Sequence, residues 1–327
     1  MIRAYVRTEA GVRVAAASHG APLIEEAVWV DVIAPTAAED AELERACGVR
    51  IPSQAEMYDL ETSSRLYEEN GILYMTATLA TKLDSQRPEA SAACFIVTGE
   101  RLVTVRFCDP VPFQRFVAFA ESHPACSGSV ALILEGLLER IIERIAEVLE
   151  RLGLELDALS AEVFAIDQRH SKASQRDLKL RDVLRRIGWH ADLLSKSRES
   201  LVSLGRLASF ARQQGQALLG ADSQPRLASS ERDIQALADH ASFVSSKVNF
   251  MLDATLGYIN IEQNGIIKIF SVAAVVFLPP TLIGTIYGMN FHAMPELEWA
   301  WGYPLALVGM VASAVLPYWY FNRRGWL

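Results

Sequence analysis

The sequence predicts an α/β domain at the N-terminus, then a long helical stalk, then two C-terminal transmembrane helices. Three observations carry that prediction. Short β-rich runs separated by turn signals fill residues 1–107. Apolar residues then recur at helical spacing over most of the middle of the chain. Finally, Ile269–Ile286 and Ala300–Phe321 carry no charge, and each is long enough to cross a bilayer as a helix.

In the first part, Ile2–Arg7 and Val12–Ala16 read as a hairpin around Glu9–Gly11. Ala27–Ile33 alternates as a strand does. Pro35-Thr36 opens a helix, because Thr36 and Glu39 have the spacing of a capping box and Gly48 suits the C-cap. Asn70-Gly71 is a turn before a strand from Ile72 to about Ala80. Ala92–Thr98 and Leu102–Phe107 form a second hairpin through Gly99-Glu100, and the domain ends near Cys126.

From Val130 onward, Leu134, Leu138, Ile141, Ile145, Val148 and Leu152 form a seam at alternating steps of four and three. A second helix over about Asp177–Gln213 is its expected antiparallel neighbour. Gly220–Ser230, with Pro225, reads as a loop. A third helix starts near Ser230 and meets no breaker through Val248, Met251, Leu252, Tyr258 and Ile261. At 1.5 Å per residue it would reach about 85 Å by Ile286, so most of it stands outside any bilayer. The division is therefore 1–127 (α/β), 128–265 (helical region and stalk) and 266–327 (membrane part). Within the last part the spans are about 267–286 and 302–321, with a loop at 287–301.

Charge gives the spans an orientation. Tyr287–Gly302 has no Lys or Arg but has Glu296 and Glu298, whereas Lys268, Arg323 and Arg324 lie beyond the other ends. The positive-inside rule puts both termini in the cytoplasm and the loop outside. Tyr303, Tyr318, Trp319 and Tyr320 are interfacial anchors. Pro279-Pro280 within the first span frees backbone carbonyls. That suits a helix facing water or protein, and it equally suits a plain kink.

Composition excludes several classes. The net charge of −8, with no interleaved basic and aromatic stripe, argues against a nucleic-acid partner. The four cysteines, Cys47, Cys94, Cys108 and Cys126, form no C-x-x-C pair, so neither a zinc knuckle nor a redox motif is expected. The first residues carry charges throughout and lack an apolar core, so no signal peptide is expected. No nucleophile elbow, metal-ligand spacing or phosphate loop organises an enzyme site. No charge within the spans marks a proton relay.

The segment YGMNFHAMPELEWAWGYP (Tyr287–Pro304) resembles the outer loop of CorA-type magnesium channels, with its Gly-Met-Asn signature and the Met-Pro-Glu-Leu that follows. The resemblance extends through KVNFMLDATLGYINIEQNGIIKIF (Lys247–Phe270) and VVFLPPTL (Val275–Leu282) to the basic C-terminus, and more loosely through Asp59–Tyr74.

This resemblance implies a funnel-shaped homopentamer in the bacterial inner membrane, carrying Mg2+ and also Co2+, with Ni2+ a further candidate. It places Asn290 around the outer mouth, with Gly288 permitting the turn and Met289 packing behind it. Thr281 and Asn264 match pore-facing polar positions, and Leu278 and Phe270 match apolar constrictions. Asp253 matches a pore-facing or regulatory acid of some members. Glu296 and Glu298 would draw cations to the mouth, although each alone also reads as a solvated loop charge. Met289 favours the magnesium branch, since zinc-transporting relatives usually alter that residue. The alternatives are a Zn2+ transporter of the same superfamily and a membrane-anchored coiled-coil scaffold or sensor that does not conduct.

Overall fold

The structure, a computed structural model, describes residues 1–8, 11–15, 24, 26–59, 61–123, 128–165, 173–289, 294–295 and 299–324. Among these the chain divides into two compact units, Met1–Leu252 and Asp253–Leu327.

The first unit is built on strands β1 (Ile2–Thr8), β2 (Gly11–Ala15), β3 (Ala27–Ile33), β4 (Leu66–Glu69), β5 (Ile72–Thr81), β6 (Glu89–Val97) and β7 (Leu102–Arg106). They form one sheet in the order β2-β1-β3-β7-β6-β5-β4, in which β3 and β7 pair parallel and the other neighbours antiparallel. Both expected hairpins are present, with Tyr5 opposite Val14 and Ile96 opposite Val103. The Asn70-Gly71 turn joins β5 to β4, a strand the sequence reading did not include. Both turn residues take positive φ, 53° and 75°, which is the geometry that selects Asn-Gly in a two-residue hairpin.

Helix α1 (Ala37–Cys47) begins at the expected capping box. Thr36 Oγ1 accepts from Glu39 N at 3.4 Å, and Thr36 N donates to the Glu39 carboxylate at 2.8 Å. It ends at Gly48, whose φ of 66° is left-handed and whose N–H donates to Glu44 O. Short helices α2 (Gln54–Met57) and α3 (Thr62–Arg65) follow, and α4 (Val111–Ser122) comes after β7.

The sheet is covered on both faces, so its central strands read as continuous apolar runs. Val30, Val32, Ile96, Val103 and Val105 pack with Leu43 of α1 and Met57 of α2. The alternate residues Trp29, Asp31, Phe95, Thr104 and Arg106 are also buried, on the face that Phe113 and Phe116 of α4 cover. Each large apolar side chain taken from water there contributes about 1.5–3 kcal/mol. Two charged residues on this face need partners, and Asp31 and Arg106 supply each other. Both side chains are only 1% exposed. Arg106 Nε and Nη2 donate to the two Asp31 oxygens at 2.9 and 2.8 Å. Thr104 Oγ1 donates to Asp31 at 2.8 Å and accepts from Trp29 Nε1 at 3.0 Å.

Three long helices complete the unit: α5 (Val130–Ala165), α6 (Ala173–Gln214), and the first part of α8 (Gln224–Tyr287). The short α7 (Gln216–Leu219) and a 3-10 turn (Ala221–Ser223) lie between α6 and α8. All six seam residues of α5 are buried, and so are Ile133, Leu137, Ile142 and Leu149. The apolar stripe is thus wider than a two-stranded seam, as a helix needs when it packs on several neighbours. The ion pair Glu162–Arg186 at 2.8 Å and the approach of Glu155 to His190 at 3.7 Å fix α5 and α6 as antiparallel, as expected. The third helix begins at Gln224, not near Ser230. Pro225 therefore sits in its first turn, where no intrahelical N–H is needed, and not in a loop. Near this start Arg226 approaches Glu135 of α5 at 3.4 Å. Glu135 is 7% exposed, and burial pushes its carboxyl up to about 7 against the opposing pull of Arg226.

Candidate ion pathway

The second unit comprises α8 from Asp253 onward and α9 (Gly302–Arg323). Both helices contain a stretch long and apolar enough to cross a membrane, and almost none of either stretch is buried within the chain. Apolar surface on that scale requires lipid or protein against it. At the C-terminal end of α9, Arg323 lies over the Trp319 ring at 3.9 Å and Arg324 over Tyr320 at 5.7 Å, a basic and aromatic boundary.

The two helices meet where small residues let them. A Cβ on Gly284 would stand 3.3 Å from Met310 Cε, and one on Gly309 would stand 3.9 Å from Ile283 Cδ1. Close approach through small residues is the usual device of helix pairs that have no hydrophobic drive between them. Sequence reasoning did not single out this pair; its signal is a glycine within each apolar span.

The other side of α8 carries the residues expected along a pathway. At about 100° per residue, Asp253, Asn264, Phe270, Leu278, Thr281 and Gly288 fall within an arc of about 120°, turned away from the side that meets α9. All six are exposed in the single chain, Phe270 by 72% and Leu278 by 71%. Thr285, which the sequence reading did not name, lies in the same arc one turn beyond Thr281, and the i, i+4 spacing is its signal.

Beyond Asp253, at the start of this face, the polar groups named on it are neutral. Thr281 Oγ1 donates to Phe277 O at 2.7 Å, and Thr285 Oγ1 donates to Thr281 O at 2.5 Å. Each hydroxyl oxygen keeps lone pairs that can accept from water. Pro279 and Pro280 stand inside a continuous helix, so the carbonyls of Val275 and Val276 have no N–H four residues on. At about 100° per residue Val275 falls just outside that arc and Val276 on the opposite side, so on the shared face it is the threonine hydroxyls that follow one another toward Gly288.

At that end, Gly288 N donates to Gly284 O at 3.0 Å and Met289 N to Ile286 O at 3.2 Å. Gly288 is not among the positive-φ residues, so φ alone does not require glycine there. Met289 is exposed in the single chain. Asn290, Glu296 and Glu298 lie outside the described residues. Among the described residues no three His, Cys, Asp or Glu side chains gather as a metal site. From Asn264 onward, what the named residues of this face offer an ion is uncharged acceptors, suited to the water shell of a cation rather than to its bare surface.

The family model described as CorA-like Mg2+ transporter protein matches residues 25–324. The chain is 34% identical over 328 residues to the magnesium transport protein CorA of Haemophilus ducreyi, covering 100% of both chains. It is 34% identical over 312 residues to the magnesium transport protein CorA of Escherichia coli, covering 94% of this chain and 93% of that one. Its fold matches the complete structure of the CorA magnesium transporter from Methanocaldococcus jannaschii with a TM-score of 0.75 at 18% identity, covering 100% of this chain and 99% of the other. These matches run through the sheet-bearing unit and the two apolar helices alike, and on that ground the chain belongs to the CorA-like Mg2+ transporter family.

Proposed function

We propose that this chain is one subunit of a passive, potential-driven pathway for Mg2+ across the bacterial inner membrane. The observation that supports it most is the exposed face of α8, where uncharged oxygens alternate with apolar side chains inside a membrane-length helix. Mg2+ sheds water reluctantly and prefers an octahedral oxygen shell. A ring of Asn290 amides, one from each subunit, can accept hydrogen bonds from the ion's waters without holding it too tightly to pass. A carboxylate ring would bind harder and favour Ca2+ or transition metals. Hydrated Co2+ and Ni2+ resemble hydrated Mg2+ in size, so Co2+ is an alternative substrate. A divalent ion gains about 4.6 kcal/mol per 100 mV, which is sufficient drive for uptake.

In this reading the chain transports and does not catalyse. Five copies place the α8 faces around a central axis, with Thr281 and Asn264 as polar steps and Leu278 and Phe270 as constrictions. Residues 1–127 and 128–265 form the cytoplasmic body and stalk, residues 266–327 the pore, and both termini are cytoplasmic. Glu296 and Glu298 concentrate cations at the outer mouth, an effect that salt screens. Asp253 and other acids between subunits hold intracellular Mg2+ and keep the pore shut.

The decisive experiment is Asn290→Ala, measured as Mg2+ uptake in liposomes with an imposed potential. Uptake should fall at least tenfold, and unchanged uptake would remove the pore reading in favour of a scaffold. Competition among Mg2+, Co2+ and Zn2+ in the same assay separates the magnesium from the zinc branch. Open probability that does not respond to internal Mg2+ would rule out the gating role.

A further inference from the structure

Within the first unit, a cleft of about 470 Å³ lies between β5, α6 and α8. Its charge is opposite to that of the chain. Three arginines, Arg65, Arg198 and Arg206, face a single carboxylate, Glu199. Three positive charges less one negative leave the cleft at +2, in a protein whose net charge is −8.

The partners of these groups matter. Arg65 is anchored, donating from Nε to Asp59 O at 2.5 Å and from Nη1 to Thr78 Oγ1 at 3.1 Å. Glu199 has Lys196 at 3.9 Å. Arg198 and Arg206, by contrast, have no hydrogen-bond or ion-pair partner among the described residues. They stand on one face of α6, about 12 Å apart along its axis. Both are exposed, so an anion can reach them from solvent. A guanidinium fork matches a phosphate group in two parallel hydrogen bonds.

The rest of the lining is not that of a simple phosphate site. Leu194 and Val248 form a buried apolar floor, and Ser245 and Asn249 on α8 add a hydroxyl and an amide beside it. The volume lies within the range of about 300–1,000 Å³ usual for small-molecule pockets. An apolar floor beside three arginines suits a ligand with a flat ring at one end and several phosphates at the other.

We propose that this cleft binds a nucleoside polyphosphate, with the arginines on the phosphates and the base against Leu194 and Val248. The site does not depend on which ion the second unit passes, and binding can be read without measuring transport.

The test is equilibrium dialysis of labelled ATP against the full-length protein in nanodiscs. Saturable binding that weakens as salt rises is expected. The double variant Arg198→Gln/Arg206→Gln should lower affinity at least tenfold while melting temperature and oligomer size stay fixed. Asn249→Glu, at an exposed position, should lower it too by placing a carboxylate in the cleft. Inorganic triphosphate should compete more weakly than ATP, and adenosine more weakly still. Absence of saturable binding at millimolar ATP overturns the proposal, as does binding that the double variant leaves unchanged. Equal competition by triphosphate overturns the role of the base. A change in oligomer size without loss of ATP binding assigns the arginines to contacts between copies of the chain, and also overturns it.

Discussion

Residues 1–252 bury a few charges, among them Asp31, Arg106 and Glu135, whereas the apolar spans of residues 253–324 have none to bury. In the first unit the Asp31–Arg106 pair, Thr104 and Trp29 satisfy one another inside a single chain. In the second, the apolar faces of α8 and α9 stay open, and the hydroxyls of Thr281 and Thr285 on one face of α8 keep lone pairs free. The first unit holds a buried core of its own, and the second leaves its apolar stretches unburied. Substitutions in the two units should therefore differ in kind: those in the first should cost stability, and those on the α8 face should cost transport.

The largest effect should come from breaking the buried pair. Arg106→Leu leaves Asp31 buried without its counter-ion, held only by Thr104, at a cost of about 3–5 kcal/mol. Thermal unfolding in detergent should show it, with Asp31→Leu/Arg106→Leu recovering part of the loss. An equal loss in the double variant would mean that the network beyond this pair carries the energy. Next in size is Gly284→Leu, which overpacks the meeting of α8 and α9 by about 1–3 kcal/mol. Gly284→Ala should cost less than about 1 kcal/mol, because the atom it meets, Met310 Cε, is the mobile end of a side chain. Similar losses for both would place rigid backbone, not Met310, against Gly284.

Glu135 refines the contrast, since it is a charge the first unit buries incompletely satisfied. Its Oε1 has no hydrogen-bond partner. Because its folded pKa is about 7 and its ordinary value 4.5, the folded state holds the proton more tightly than the unfolded one. The penalty is absent below about pH 4.5 and grows as pH rises through 7. Glu135→Gln should therefore raise the melting temperature at pH 8, by the equivalent of about 1–2 kcal/mol, and leave it unchanged at pH 4.5. A gain that is flat across pH would show that charge burial is not its cause. The smallest effect belongs to Thr281→Val, which removes one neutral acceptor from the α8 face. Uptake should drop about three- to tenfold, the equivalent of roughly 1 kcal/mol, with no change in melting temperature. A drop in melting temperature instead would make Thr281 a packing residue.

Much of the fold was legible in the sequence where the cause is local. The Thr36–Glu39 capping box, the Asn70-Gly71 turn and the uncharged spans depend on groups close together along the chain. Features that arise at a distance were not legible. Asp31 in an alternating strand reads as a solvent-facing residue until α4 covers that face and Arg106 arrives from β7. Pro225 reads as a loop residue, although the first turn of a helix accepts it equally. Thr285 escaped notice because its meaning comes from sharing a face with Thr281, and Gly284 because its meaning comes from Met310.

By itself the sequence determined the order of the parts: a sheet-bearing domain, helices, two apolar spans and the loop with Gly288-Met289-Asn290. Those are set by periodicity, turn chemistry and charge, which act over a few residues. Only the tertiary structure decided which side of α8 meets α9 and which side is left open, how the buried charges of the sheet are paired, and where unpaired arginines gather over an apolar floor. Each of these depends on side chains far apart in the chain meeting in space, and burial acts only once they do.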